Sequence, residues 1–272
     1  MLQTWEAVRY EKIMGNGRTK PLIIECEYLP SAGAEEVTEP EVNVTNRRLM
    51  VVKTSGNPSV TKASLLCEII GNLLARELGI ATPQPALVNL SQEFVAAVQP
   101  YVEKCGINLQ PGLGAGCEFI SGGTISVIPG ASQSPEEFSR ATLIFGFDLL
   151  TQNPDRRPEK PNCASTRGKS YLAFDFEMCF SFLFSIGKVD AWQVSQTGIG
   201  CRHLFHSALK NKAPDWQPLI ERLKVLRSET LDGWASLLPH DWLAHYSEIR
   251  EHLLAVAAHA DEFEIELQRS LI

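Results

Sequence analysis

Asn153-Pro154-Asp155-Arg156, then Asn162, then Phe174-Asp175-Phe176-Glu177: two acids and an amide follow one another across a polar, proline-bearing loop and one short apolar run. That order suits phosphoryl transfer. One Asp orients an attacking hydroxyl, an amide helps hold a metal ion, and an Asp placed after a strand grips the metal on the phosphates. Asp155 sits in a loop directly after an apolar helical pattern, and Asp175 directly follows an apolar strand pattern, where its carboxylate can face a cleft. The plainer readings are that Asn-Pro-Asp forms an ordinary turn and that Asp175 caps the segment after it.

Working outward, Ser134-Pro135-Glu136-Glu137 has the chemistry of a capping box, with Ser at the cap and Glu at the third position. It predicts a helix to Leu150 with a broad apolar face, ending before Asn153-Pro154 because a residue preceding proline avoids the helical region. Arg167-Gly168-Lys169 reads as a hairpin turn whose second strand runs through Tyr171 to Phe174. Later helices are predicted over 215–227, 229–238 and 246–271.

The first 130 residues read mainly as strands. Residues 21–28 and 48–53 are short apolar runs bounded by turn residues, and 30–46 is an acidic connection rich in Pro, Ala and Gly. Then the period changes. Leu66, Ile69, Ile70, Leu73, Leu74 and Leu78 recur at helical spacing, predicting a helix over 61–78 with Gly79 as its stop and Glu68 at the edge of a small, polar stripe. Two further strand-like runs, 86–90 and 93–98, follow Pro83-Gln84-Pro85. A strand ending in Lys53 and a helix carrying Glu68 fit a phosphate-contacting lysine held by a carboxylate. The alternative is a strand-end lysine reaching solvent and an unrelated surface Glu. The outline is α+β: a β-rich N-terminal lobe with one helix (1–122), then a mostly helical C-terminal lobe (123–272).

Composition bounds the rest. The formal net charge of −7 and the pI near 5.5 argue against a general grip on nucleic acid, which needs a basic face. No apolar run reaches the length of a membrane span, and Met1 to Glu6 lacks a signal pattern. Seven scattered cysteines with no C-x-x-C pair suit reduced thiols, so the expectation is a soluble cytoplasmic protein.

Lys53, Glu68, Asn153-x-Asp155-Arg156, Asn162 and Asp175, in this order, resemble the HipA-like kinases, in particular their compact kinase-domain branch. Gly15-x-Gly17-Arg18-x-x-Pro21, Leu78-Gly79-Ile80-x-x-Pro83, Phe147-Asp148-x-x-x-x-Asn153 and Leu238-Pro239-x-x-Trp242 are similar too. The resemblance implies a bilobal, protein-kinase-like fold that binds ATP and Mg²⁺ and phosphorylates Ser or Thr of a protein, with an antitoxin-like partner. It implies that Lys53 touches the α- and β-phosphates, that Glu68 orients Lys53, and that Asp155 accepts the hydroxyl proton. Asn162 and Asp175 would ligate Mg²⁺, Gly15 and Gly17 would cover the phosphates, and the chain near Glu118 to Gly122, with Glu118 and Ile120 in it, would form the hinge against adenine. The chain departs from the broader kinase pattern in two places. The position five after Asp155, where the metal-binding Asn falls in that pattern, is Lys160, and Asp175 is followed by Phe176-Glu177 instead of Phe-Gly. Asn162, Lys160 and Glu177 therefore compete for the place facing the metal. A pseudokinase and a small-molecule or lipid kinase on the same fold are the alternatives.

Three side features carry weaker readings. Cys201-x-His203-x-x-His206 offers three zinc-type ligands without an evident fourth. His252 and His259 read as an exposed or interfacial stripe on one long last helix. Cys163 reads as a buried thiol.

Overall fold

A computed structural model describes residues 2–15, 17–28, 46–120, 124–126, 133–166, 169–185 and 189–272. The connection over 30–46 (all but Asn46), the turn residues Arg167 and Gly168, and the cut between 122 and 123 lie outside the described residues. Contacts divide the chain into two units: Met1–Leu65 with Gln84–Ile120, and Leu66–Pro83 with Ser121–Ile272. The helix expected over 61–78 therefore belongs mostly with the second unit instead of with the N-terminal one.

The first unit is a closed barrel of five strands in the order β1-β2-β3-β5-β4. These are β1 (Gln3–Ile13), β2 (Leu22–Tyr28), β3 (Arg47–Lys53), β4 (Pro85–Leu90) and β5 (Gly112–Glu118). Neighbours are antiparallel except β1 and β4, whose parallel pairing closes the ring. Trp5, Ile24, Val52 and Val88 meet in its core. The strand reading of 93–98 is overturned, because Gln92–Val102 is a helix. Ser91 caps it by accepting from the Phe94 N–H at 3.1 Å, and Phe94, Val95, Val98 and Val102 press into the barrel core. The β-branched valines mimicked a strand, but their three- and four-residue spacing is helical. The long first strand β1 went unread because polar residues fill most of its exposed face.

Helix α1 (Lys62–Glu77) ends in a Schellman motif, with Gly79 at φ 79° and the Ile80 N–H donating to the Ala75 carbonyl at 2.8 Å. Helix α2 is the Gln92–Val102 segment above. In the second unit, α3 (Pro135–Leu150) starts with the expected capping box, and every residue from Ala141 to Leu150 is buried. Strands β6 (Thr124–Ser126), β7 (Cys163–Thr166) and β8 (Lys169–Ala173) form a small antiparallel sheet whose last strand packs on α3. Short helices α4 (His206–Leu209), α5 (Gln217–Lys224) and α6 (Ser228–Ala235) follow. The single last helix is instead two, α7 (Tyr246–Ala258) and α8 (Ala260–Arg269), broken at His259, whose ring stacks on Trp192 at 3.7 Å. His252 is buried instead of exposed. Its Nε2–H donates to the Leu150 carbonyl at 2.7 Å, and burial pulls its pKa down to about 4. Among the described residues no helix is long and apolar enough to cross a membrane.

Candidate active site

The end of α3 delivers Asp155. Gln152 takes a left-handed conformation (φ 49°), and the Asn153 N–H reaches back to the Asp148 carbonyl at 2.7 Å, a Schellman bond that turns the chain sharply off the helix. Asn153 then works in both directions. Its amide nitrogen donates to Asp148 Oδ1 at 2.8 Å, and its amide oxygen accepts from the Asp155 N–H at 3.1 Å. The second bond is an Asx turn, a local hydrogen bond this residue type favours.

Arg156 fixes the rest. Its side chain is fully buried, and Nε donates to Asp148 Oδ2 at 2.5 Å while Nη2 reaches Oδ1 at 3.4 Å. Nη1 donates to the Asn162 carbonyl and to the Phe174 carbonyl, the latter at 3.3 Å. Asp155, Asn162 and Asp175 are thus each held at or one residue from a group on this guanidinium. The hairpin brings two of them together independently. Cys163 pairs with Ala173, so Asn162 lies opposite Phe174, whose N–H donates to its carbonyl at 3.1 Å. Asn162 and Asp175 both adopt positive φ (43° and 63°), a left-handed conformation that Asn and Asp tolerate better than other residues with a side chain, so the loops are bent where the candidate ligands sit.

Burying Asp148 opposes its ionisation, but Arg156 and His203 overcome this and hold its carboxyl below the ordinary range. His203 Nδ1 accepts from the Phe205 N–H at 3.1 Å, so its proton is on Nε2, which points at Asp148 Oδ2 at 2.9 Å. Burial lowers its pKa, with Asp148 opposing, and the ring is a neutral donor. That removes the zinc reading: both His203 nitrogens are used inside the protein, and Cys201 Sγ lies 3.2 Å from the Gly198 carbonyl. Cys163 is buried, and desolvation pushes its thiol up to about 12.

Around Asp155 the charges are reachable. Its Oδ2 accepts from the Lys160 ammonium and from Asn162 Nδ2, the latter at 3.1 Å, and Lys160 Nζ lies 3.5 Å from Asp175 Oδ2. Partial burial works against the ammonium, but Asp155, Asp175 and Glu177 outweigh it, raising its pKa above the usual lysine value. Glu177 is buried. Glu68 is buried too, where a helix-edge position was expected. Its Oε2 accepts from the Phe176 N–H at 3.0 Å, tying α1 to the residue after Asp175. Gly71, one turn along α1, allows that approach, since a Cβ there would come within 2.8 Å of Phe176 Cβ.

A hard cation fits these donors. Asn162 Oδ1 accepts none of the hydrogen bonds found among the described residues, and Asp175 adds a carboxylate at 20% exposure. Among the described residues no three His, Cys, Asp or Glu side chains gather. One or two protein oxygens completed by phosphates and water is the arrangement Mg²⁺ favours.

In the first unit, Lys53 ends β3 buried, paired in register with Ala115 of β5. A Cβ at Gly114 would come within 2.8 Å of the Lys53 carbonyl, so glycine is needed there. Gly15 and Gly17 lie between β1 and β2, Gly17 at φ 139°, and an added Cβ would meet nothing at either. Glu118 ends β5 with its carboxylate 3.6 Å from Arg48, and Ile120 follows it half-buried. The residues the sequence reading undervalued are Asp148 and His203. Their signal was an acid inside the apolar face Phe147-Asp148-Leu149-Leu150, which burial obliges to find a cation.

The model of the HipA-like kinase family matches residues 41–269. The crystal structure of the Helicobacter pylori proinflammatory kinase CtkA is similar at a TM-score of 0.49 and 11% identity, over 98% of this chain and 100% of that one. No curated protein matches the chain.

Proposed function

We propose a specific phosphotransferase, on the premise that the chain belongs to the HipA-like kinase family. It moves the γ-phosphoryl of ATP to a hydroxyl, which we assign to Ser or Thr of a protein. The observation that carries this reading is Arg156, whose one buried guanidinium gathers the segments bearing Asp155, Asn162 and Asp175. The hydroxyl oxygen bonds to the γ-phosphorus, the bond from that phosphorus to the β–γ bridging oxygen breaks, and ADP leaves with the electron pair. Asp155 orients the hydroxyl and takes its proton. When bound, Mg²⁺ neutralises charge on the phosphates. Asp175 and Asn162 Oδ1 are the residues that would hold it.

The same reading includes the bilobal protein-kinase-like fold. Lys53 contacts the α- and β-phosphates with Glu68 as its orienting carboxylate, Gly15 and Gly17 offer backbone amides to the phosphates, and Glu118 to Ile120 line adenine. A protein substrate and a small antitoxin-like partner complete it. One observation favours a second reading, a nucleotide-binding module without transfer: the Lys160 ammonium already bridges Asp155 and Asp175.

The test incubates the full chain with γ-labelled ATP, Mg²⁺ and a cell extract, then separates protein, lipid and small-molecule products. Acid-stable label on Ser or Thr, lost in Asp155→Ala, is the expected result. Label in the lipid or small-molecule fraction moves the acceptor class. ATP binding with no labelled product selects the binding module.

A further inference from the structure

Lys160 stands five positions after Asp155, where the broader kinase pattern places a metal-binding Asn. The substitution changes the chemistry of the position. An amide offers an oxygen to a cation, whereas an ammonium has three donors and no acceptor and cannot ligate a metal. The loop is also built to present it. Arg157 and Lys160 exchange backbone hydrogen bonds, N–H to carbonyl at 3.0 Å in both directions, closing a tight turn over Pro158 and Glu159. From that turn the ammonium reaches Asp155 Oδ2 and lies 3.5 Å from Asp175 Oδ2. Its side chain is 40% exposed, so a phosphate can approach it.

Resting on the kinase reading, we propose that Lys160 is a catalytic residue that supplies one fixed positive charge to the transferred phosphoryl group. The site then takes a single divalent cation, at Asp175 and Asn162, instead of two. Two observations and one electrostatic argument converge on this. Asn162 turns its nitrogen to Asp155 and keeps Oδ1 for a cation. Asp155 Oδ2 is shared by two donors, which leaves it poorly placed as a second metal ligand. A second divalent ion between the two acids would face the ammonium across a few ångströms and be repelled. During transfer, Lys160 keeps its protons and donates to an equatorial oxygen of the γ-phosphoryl, while Asp155 takes the proton of the attacking hydroxyl.

The direct test counts bound metal. The full chain is titrated with Mn²⁺ in the presence of a non-hydrolysable ATP analogue, and free Mn²⁺ is read by electron paramagnetic resonance. One Mn²⁺ per bound nucleotide is expected for the wild type and two for Lys160→Asn, whose amide restores a ligand. Two in the wild type overturns the lysine assignment and leaves the kinase reading standing, a result that needs no variant to fold. No nucleotide-dependent Mn²⁺ binding by the wild type overturns both. The kinetic arm uses Lys160→Met, expected to lower kcat by about 10²-fold or more with little change in KM for ATP, and Lys160→Arg, expected to recover part of the loss. An unchanged or higher kcat in Lys160→Met shows a removable lock instead of a catalytic cation, and sinks the proposal.

Discussion

Asp148, Arg156 and His203 have side chains at 0% exposure, whereas Asp155, Lys160 and Asp175 stand at 13%, 40% and 20%. Both clusters join carboxylate to a cation, and Asp155 and Arg156 are neighbours in the chain. The buried set is closed on itself: each Asp148 oxygen has its donors, and the remaining guanidinium nitrogen is spent on backbone carbonyls. The half-buried set keeps its charges partly open to water, where a ligand can rearrange them. Charge in the first cluster ties the loops together, and charge in the second stays within reach of solvent. The reason is dielectric: a charge sealed in the interior cannot lose its partner cheaply, and one at the surface can exchange it.

The largest effect that would break this contrast is expected at Asp148. Asp148→Ala leaves the Arg156 charge buried without its carboxylate and should cost about 3–5 kcal/mol of stability in a denaturant titration, with activity lost alongside. An Asp148→Ala protein as stable as wild type would mean the buried cluster does not organise the loops. Asp155→Ala should behave the opposite way, lowering transfer by about 10²–10⁴-fold while thermal unfolding stays close to wild type. Should Asp155→Ala instead unfold, the two clusters would not be separable as drawn.

His252 sharpens the contrast by pH. Its folded pKa, about 4 against 6.5 for an ordinary histidine, means the fold binds the neutral ring. The resulting stabilisation is complete above pH 6.5 and declines as pH falls towards 4, because the unfolded chain takes up the proton first. The full swing is about 3 kcal/mol. Subtracting the unfolding curves of His252→Gln from those of wild type at a series of pH values should isolate this slope, and a flat difference would contradict it. The smallest effect is expected from Arg250 and Asp232, bonded at 2.7 and 3.1 Å but on the surface. Asp232→Asn should leave the unfolding midpoint unmoved within error.

How much of this was legible varied with the physics. The α3 capping box and the Gly79 stop are written in residues whose chemistry acts locally, so short-range rules found them; the hairpin's second strand was placed two residues late, since β8 runs from Lys169 to Ala173. Helix α2 was misread because the branching of Val95 and Val98 outweighed their helical spacing and the Ser91 cap. The break at His259 coincides with a stack on Trp192, which lies far off in sequence. Order and spacing made Asp155, Asn162 and Asp175 candidates, and the family resemblance suggested their roles. Their common anchor was not readable in this way, since Arg156 reaches Asp148, Asn162 and Phe174 only after α3 and the hairpin have folded. Glu68 shows the same limit. Its helix face was readable, but its bond to the Phe176 N–H joins residues 108 positions apart.

The measurement that bears most directly on the central claim is single-turnover transfer from γ-labelled ATP by the purified full chain, with Mg²⁺ present or chelated, alongside Asp155→Asn and Asp175→Asn. Both variants replace a carboxylate with an amide of equal size. Mg²⁺-dependent transfer by the wild type, falling by at least about 10²-fold in each variant, is the predicted result. Transfer at the wild-type rate in either variant would contradict the assignment of these two acids.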